Sequence, residues 1–288
     1  MADSKRIAKL KLEAARCRLN VLRMVRAGGH GHIGGALSAI DVVTALYFDK
    51  MNIDPADPKK KDRDRFLLSA GHKCLAQYAV LAEKGYFDKT VLDTYGELAS
   101  KIPGHPDMHK LPGVEANTGA LGHGISIAAG MAMASKLDER GFDVYVVAGD
   151  GELPEGSNWE AAAAAAKFGL DNLVLFVDNN GLQISGDVEK VMSMEPIDEK
   201  FRAFGWAVKV IDGNDMADIV GALDSLPLEK GKPSMILCKT VKSKGLSFGE
   251  NQVAFHFWNA TEELLDQAEA EMKEQIEILE NEIKEPQL

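Results

Sequence analysis

Two short polar motifs follow two apolar segments of the chain, and their residue types suit a hard metal ion. The sequence Gly-Asp-Gly at 149–151 ends one apolar run, and Asn-Asn at 179–180 follows the next. If these runs are neighbouring parallel strands, Asp150 and Asn180 lie side by side at one edge of the sheet. A carboxylate, an amide oxygen and a backbone carbonyl such as that of Leu182 form an oxygen site suited to Mg²⁺ or Ca²⁺.

The same motifs could also hold phosphate groups. Mg²⁺ in proteins is commonly completed by phosphate oxygens, and the backbone N–H of Gly151 is placed to bind such oxygens. The alternative is that both motifs are simple turns, which Gly, Asp and Asn favour. Two such motifs at one sheet edge favour a binding site over either turn alone.

Seven histidines provide candidates for hydrogen bonding and proton transfer. They are His30, His32, His72, His105, His109, His123 and His256. His30 and His32 could be a metal motif, but there is no helical HExxH and no cysteine pair, so zinc is disfavoured. Several loop histidines suit contacts to a polar substrate, although His30 and His109 could be structural.

A glycine pattern at 29–34 formally matches the GxGxxG fingerprint of dinucleotide-binding proteins. That fingerprint requires a strand immediately before it, whereas the periodicity of residues 7–25 predicts a helix there. No acidic residue ends a second strand at the expected distance. The sequence therefore argues against NAD binding.

The elements around these motifs alternate between helices and short apolar strands. Apolar runs predict strands at 65–69, 144–148, 173–177, 206–211 and 234–239. Helical spacing predicts helices at 7–25, 38–48, 74–83, 123–137, 158–168, 216–226 and 261–283. This rhythm predicts an α/β fold with a doubly wound, mostly parallel sheet and helices on both faces.

Three further expectations concern boundaries. Ser38 is expected to be the N-cap of the second helix, and residues 96–122 are expected to form a long functional loop. Residues 1–260 are expected to form one domain, followed by an acidic helical segment at 261–288. The apolar stripe of that helix either packs on its own domain or docks a partner chain.

Composition excludes several classes of protein. The chain has 288 residues, of which 45% are hydrophobic and 27% charged, and its net charge is −11. The segment from 261 onward holds ten acids and two lysines and so contributes −8 of that charge. The acidity of the whole chain therefore says little about its ligands. The sequence also shows no basic cluster of the kind that binds nucleic acid. No apolar run spans a bilayer, the N-terminus has no secretory pattern, and three separated cysteines suit a reducing cytoplasm.

The spacing of the two polar motifs is that of the thiamine diphosphate motif, and the surrounding sequence resembles transketolase. The matching segments lie within roughly residues 10 to 258 and are 31–38, 64–72, 103–106, 111–124, 149–156 and 178–180. Many ordered motifs at family spacing make this resemblance specific. It implies the thiamine diphosphate-binding fold, here the diphosphate-binding (PP-type) domain.

The resemblance also implies roles for individual residues. Asp150, Asn180 and the Leu182 carbonyl would hold Mg²⁺ or Ca²⁺ on thiamine diphosphate. The cofactor would further contact His72, Gly119, Leu121, Gly151, Ile184 and His256, and Glu155 would lie at the interface that links two active sites. His32, His105 and His256 would line the substrate channel as catalytic residues.

Transketolases transfer a two-carbon ketol unit from a ketose to an aldose, often as sugar phosphates, and their full chain is about twice as long as this one. The resemblance therefore implies one half of a split enzyme, with a partner that supplies the pyrimidine-binding half and its glutamate in an α2β2 assembly. The alternatives are a fragment of a longer chain, which the segment 286–288 as a natural end opposes, and a non-catalytic paralogue. A deoxyxylulose-phosphate synthase-like or 2-oxo acid decarboxylating enzyme is a further alternative.

One place near the end of the match differs from the family pattern. His256 is followed by Phe257, where many family members have glycine. Lys242 and Lys244 are expected to lie in a solvated basic loop, although they could touch substrate.

Overall fold

The structure, a computed structural model, describes residues 4–284. Its helices are α1 (Ser4–Gly28), α2 (Ile33–Ala45), α3 (Cys74–Lys84), α4 (Gly124–Leu137), α5 (Gly156–Lys167), α6 (Val188–Met192), α7 (Ile197–Ala203), α8 (Met216–Leu223) and α9 (Glu262–Lys284). Its strands are β1 (His30–Gly31), β2 (Arg65–Leu68), β3 (Val144–Gly149), β4 (Leu173–Asn179), β5 (Leu182–Gln183), β6 (Gly186–Asp187), β7 (Ala207–Asp212), β8 (Ser234–Lys239) and β9 (Trp258–Asn259). Short 3₁₀ or π turns lie between several of these elements.

Five parallel strands form the central sheet in the order β2-β3-β4-β8-β7. The central strands β3 and β4 are almost wholly buried, as expected of continuous apolar runs in a parallel sheet. Gly149 pairs with Asp178 across β3 and β4, so the two polar motifs leave adjacent strands at the same edge. The predicted parallel α/β architecture is confirmed.

Helices cover both faces of this sheet, because alternate side chains of each strand point to opposite sides. On one face, Tyr145 and Phe176 pack in a core with residues of α1, α2, α3 and α8. On the other face, Val146 and Leu175 pack with α4, α5 and α7. The predicted doubly wound arrangement is therefore confirmed.

The expectation that Ser38 caps a helix is wrong. Helix α2 begins at Ile33, directly after His32, so Ser38 lies inside the helix and is fully buried. Its hydroxyl donates to Asp178 Oδ2 at 2.6 Å. A local preference of serine for caps cannot reveal a buried acceptor that lies far away in sequence.

The irregular segment at 96–122 is confirmed as turns and bends without helix or strand. The segment 182–203 is more structured than the sequence suggested. It contains the β5–β6 hairpin followed by α6 and α7. Within residues 4–284, no helix combines the length and apolar character needed to cross a membrane.

The acidic helix α9 packs along α1. Leu265, Ala268 and Met272 of α9 are buried in the core that contains α1, and Leu279 packs with Leu12 in a smaller cluster. Two arginines of α1 also pair with acids of α9: Arg26 with Glu262, Asp266 and Glu269, and Arg16 with Glu280. These contacts are those of a helix packed on its own domain, while the boundary after residue 260 stays a prediction. Residues 1–3 and 285–288, including the expected natural end at 286–288, lie outside the described residues.

Two neighbouring residues of α9 provide a test of this packing. Leu279 is 6% exposed, whereas Ile278 is 52% exposed. We expect Leu279→Ala to lower the free energy of unfolding by about 2 kcal/mol, because a buried leucine leaves a cavity when truncated. Ile278→Ala should change it by less than about 0.5 kcal/mol. Equal effects in chemical denaturation would contradict the observed orientation of α9.

Candidate active site

A cavity of about 370 Å³ opens at the carboxyl ends of the central strands, the edge at which parallel α/β sheets bind ligands. It draws its walls from many separate parts of the sequence. The lining residues are His32, Gly35, Ala70, His72, Lys73, His105, Gly119, Leu121, Gly149, Asp150, Gly151, Glu152, Asn180, Leu182, Gln183, Ile184, Lys242 and His256.

The structure brings together every predicted site residue except Glu155. Glu155 is exposed and precedes α5. Its Cβ lies against the place that a Cβ at Gly122 would occupy. Glu155 therefore lies beside the cavity and not in its wall, and its expected interface role stays a prediction.

Asp150 is a buried carboxylate that no cationic side chain of the described residues contacts. It is 2% exposed and accepts hydrogen bonds from the backbone N–H of Gly151 at 2.8 Å and of Gly181 at 2.7 Å. The amide of Asn179 is a third donor, at 3.2 Å. Burial, followed by the charge of Asp178, raises the pKa of Asp150. A buried anion held by neutral donors suits a metal cation as its counter-charge.

Two further oxygens accompany this carboxylate. Asn180 Oδ1 accepts from the N–H of Leu182 at 3.1 Å and keeps a second lone pair. Leu182 also lines the cavity, and its carbonyl oxygen accepts from Lys242 Nζ at 2.8 Å and keeps a second lone pair. Within residues 4–284 no group of three His, Cys, Asp or Glu could hold a metal, so one carboxylate and two neutral oxygens are the candidate set. Such oxygens fit Mg²⁺ or Ca²⁺, which accept carbonyl ligands.

The Gly151 N–H was expected to hold phosphate oxygens, but in the structure it donates to Asp150 Oδ1. Binding of a phosphate at Gly151 would therefore require this N–H to exchange one acceptor for another. A metal ion on Asp150 would favour that exchange, because it competes for the same carboxylate.

The expectation that Lys242 lies in a solvated loop is wrong. The residue is 1% exposed and lines the cavity. Its ammonium lies 2.8 Å from the Leu182 carbonyl and 3.0 Å from His256 Nδ1. Burial, with the nearby charge of Lys73, lowers its pKa to about 8. Lys244, by contrast, is partly exposed and pairs with Glu250.

Three imidazoles meet in the cavity wall. The ring centroids of His32, His72 and His256 lie 5.2 to 5.6 Å apart. Burial, with the charges of neighbouring lysines, lowers the pKa of His72 to about 2 and that of His256 to about 3. Burial also lowers the pKa of His32. These rings are therefore neutral at pH 7, with one donor and one acceptor nitrogen each.

Two loops approach each other closely next to His72 and His105. A Cβ at Gly71 would lie 2.5 Å from the carbonyl oxygen of Thr118. Gly119 has a φ of +145° and approaches the ring of His105. Glycine is needed at both positions, because a side chain would push the two loops apart.

Two buried charged residues of this site, Glu152 and Lys73, were not predicted from the sequence. Glu152, 2% exposed, accepts from Ser69 and from the N–H groups of Gly149 and Gly122. Lys73, 4% exposed, pairs with Asp178 at 2.5 Å. Each directly follows a predicted site residue in the sequence, which was the only local signal for it.

The sequence from residue 10 to residue 275 matches the family described as transketolase, thiamine diphosphate binding domain. The chain belongs to the transketolase family. The resemblance seen in the sequence is therefore confirmed.

Relatives of two lengths share this family. One of the subunits of apulose-4-phosphate transketolase from Phocaeicola vulgatus is 44% identical over 96% of this chain and 98% of its own. The 6-deoxy-6-sulfo-D-fructose transketolase subunit SqwG of a Clostridium strain is 45% identical over 86% of this chain and 90% of its own. Transketolase from Leishmania mexicana superimposes with a TM-score of 0.84 and 29% identity, covering 99% of this chain but 46% of that one. The chain thus spans nearly all of the subunit relatives and about half of the full-length enzyme.

Proposed function

We propose that this chain is the thiamine diphosphate- and divalent-metal-binding subunit of a split transketolase. The observation that carries the proposal is the cavity that joins the buried Asp150 carboxylate, the Asn180 and Leu182 oxygens and three neutral histidines. Its metal is proposed to be Mg²⁺ or Ca²⁺. The near-complete match to subunits of other transketolases supports the split arrangement.

The binding residues divide by their chemistry. Asp150, Asn180 and the Leu182 carbonyl would hold the metal, while Gly151 and His72 would contact diphosphate oxygens. Gly119, Leu121 and Ile184 would flank the cofactor rings, since two of them offer apolar side chains and the glycine admits close approach. Thiamine diphosphate, when bound, supplies the nucleophilic carbon and the electron sink for two-carbon transfer.

The histidines would serve the sugar substrate. His32 and His256 are neutral at pH 7. His32 can donate a hydrogen bond through one ring nitrogen and accept a proton at the other, whereas His256 Nδ1 accepts from the Lys242 ammonium and leaves Nε2 to donate to a hydroxyl. His105 lines the same cavity, with its ring against Gly119. We assign proton transfer and hydroxyl binding to these three residues.

The assembly is proposed to be an α2β2 heterotetramer in the cytoplasm. A second polypeptide would supply the pyrimidine-binding half and the glutamate that activates the cofactor, and Glu155 would lie at the contact between halves. The exposed position of Glu155 beside the cavity supports this placement. The three cysteines of the described chain are free and buried, which suits a reducing compartment.

The substrates are proposed to be a ketose phosphate donor and an aldose phosphate acceptor, as in the pentose phosphate pathway. The relatives' own names include a sugar phosphate and a sulfonated sugar. Both carry an anionic group at a distance from the carbonyl that reacts. We expect the partner half to recognise that anion. The two lysines that line the described cavity, Lys73 and Lys242, lie beside Asp178 and the Leu182 carbonyl, at the proposed metal site.

Co-purification from the source cells tests this function. We expect a near-stoichiometric partner with a pyrimidine-binding sequence, and ketol transfer by the complex that depends on thiamine diphosphate and Mg²⁺. Recovery of the chain alone, without activity after both are added, would contradict the proposal. Mass spectrometry of the co-purified material identifies the partner, and a coupled assay measures transfer.

The two lysines at 242 and 244 allow a matched test of the site. We propose that the buried Lys242 ammonium also reaches a diphosphate oxygen. We therefore expect Lys242→Met to weaken thiamine diphosphate binding about 10–100-fold, because a charge-assisted hydrogen bond contributes roughly 1.5–3 kcal/mol. Lys244→Met removes the same charge from a partly exposed side chain and should bind nearly as the parent does. Calorimetry on the assembled enzyme measures both. Similar losses in both variants would indicate a general electrostatic effect and not a contact.

A further inference from the structure

Asn180 is held in one orientation by residues behind the cavity wall. Its amide nitrogen lies 3.2 Å from Ser38 Oγ and 3.2 Å from Asp178 Oδ2. These two oxygens lie 2.6 Å from each other, so both accept from the same side of the amide nitrogen. The amide oxygen is therefore turned the other way, toward the N–H of Leu182 and the side on which Asp150 lies.

Asp178 is fixed in turn by a buried set of donors. Lys73 Nζ lies 2.5 Å from Asp178 Oδ2, Ser38 Oγ donates to the same oxygen at 2.6 Å, and Thr240 donates to Oδ1. Asp178, Lys73 and Ser38 are each at most 4% exposed. Lys73, Ser38 and Thr240 all donate to this carboxylate, so both of its oxygens face donors and it acts as an acceptor.

We propose that Asp178, anchored by Lys73 and Ser38, is a positioning residue that turns the Asn180 amide oxygen toward the metal. An amide whose two ends exchange places would present N–H groups to the cation, which repel it. Because a carboxylate cannot donate, Asp178 excludes that exchanged orientation. This inference rests on the proposed function, since it concerns the same metal site.

The arrangement also separates the roles of two neighbouring aspartates. Lys73 neutralises Asp178, whereas Asp150 has no cation in contact within the described residues. Of these two aspartates, Asp150 is therefore the one that remains available to pair with a divalent ion. Outer residues that orient ligands in this way typically change metal affinity by about 10–100-fold when they are mutated.

The test measures Mn²⁺ affinity by electron paramagnetic resonance, with the assembled enzyme and saturating thiamine diphosphate. We expect Asp178→Asn to weaken Mn²⁺ binding by about 10–100-fold. Ser38→Ala, which changes no charge, should weaken it several-fold. Asp64→Asn removes a buried polar group directly before β2, at the other end of the sheet, and Ser135→Ala removes one on the buried side of α4. Both controls should leave Mn²⁺ affinity unchanged, whatever they do to thermal stability.

Repeating the Asp178 substitution in an Asn180→Asp variant separates an effect of amide orientation from an effect of the Asp178 charge. In Asn180→Asp, both ends of the side chain are oxygens, so no orientation has to be enforced. Asp178→Asn should then lower Mn²⁺ affinity by well under tenfold, because only the attraction of a carboxylate that does not touch the cation is lost. A tenfold or larger loss in both backgrounds would overturn the proposal and indicate simple attraction or lost structure. No loss in either background would overturn it as well.

Different outcomes of this experiment contradict the proposed function and the positioning role of Asp178. If the parent assembly binds no Mn²⁺ in the presence of thiamine diphosphate, the cofactor assignment itself is wrong. If the parent binds Mn²⁺ and Asp178→Asn binds it equally well, the site stands and the positioning role does not. Circular dichroism of each variant verifies that the chain is folded before affinities are compared.

Discussion

Asp150→Asn is expected to weaken metal-dependent binding of thiamine diphosphate by at least about 100-fold. The substitution removes the only carboxylate of the candidate ligand set and replaces it with a neutral group of equal size. Loss of a residue that binds the metal directly should lower metal affinity more than the roughly 10–100-fold seen for residues that only orient metal ligands. Calorimetric titration of the assembled enzyme with cofactor, at fixed Mg²⁺, measures the loss.

Asp143→Asn is the matched control for this prediction. Asp143 directly precedes the same strand, β3, at the opposite edge of the sheet, and burial raises its pKa as it does that of Asp150. We expect its substitution to alter thermal stability at most and to leave cofactor affinity at the parent value. If Asp150→Asn binds cofactor as tightly as this control does, Asp150 is not a metal ligand.

Gly71→Ala is expected to lower cofactor affinity about tenfold or more by spreading two loops. The new Cβ would lie 2.5 Å from the Thr118 oxygen and 2.8 Å from the nitrogen of Gly119. Both are backbone atoms, so the strain cannot be relieved by a side-chain rotation. Overpacking of this kind costs about 1–3 kcal/mol of folding stability. The free chain relieves that strain by moving the loops apart, so binding has to bring them back together, and about 1.4 kcal/mol of such cost corresponds to a tenfold loss of affinity.

Gly104→Ala supplies the comparison for this steric effect. Gly104 belongs to the long irregular segment 96–122, but a Cβ there would meet nothing within 4 Å. Its substitution should preserve cofactor affinity and change stability by less than about 1 kcal/mol, through the unfolded chain. Parent-like binding by Gly71→Ala, or equal losses in both variants, would show that the close approach does not shape the site.

The sheet was predictable because its signals are local. The apolar runs of β3, β4 and β8 are continuous, and each is bounded by turn residues, so the sequence alone indicates buried parallel strands. The polar motifs directly follow two of these strands. Their meeting at one edge then follows from topology, and the structure places Asp150 next to Gly181 accordingly.

The buried polar residues were not predictable in the same way. Ser38 and Lys242 have partners that lie far from them in sequence, namely Asp178 for the serine and Leu182 for the lysine. A serine near the start of a helix is usually an N-cap, and a lysine in a loop is usually exposed to solvent. Only the packing of α2 and the 242–256 segment against the sheet edge shows that both are interior.

The cavity collects its lining from positions as distant as His32 and His256. No short part of the chain could retain the ligand if the rest unfolded, so occupancy and global unfolding are thermodynamically linked. A ligand at about one hundred times its dissociation constant would add about 2.7 kcal/mol to the stability of the native state. The melting temperature of the whole chain should therefore rise with cofactor concentration. A thermal melt thus reports occupancy even where no turnover can be observed.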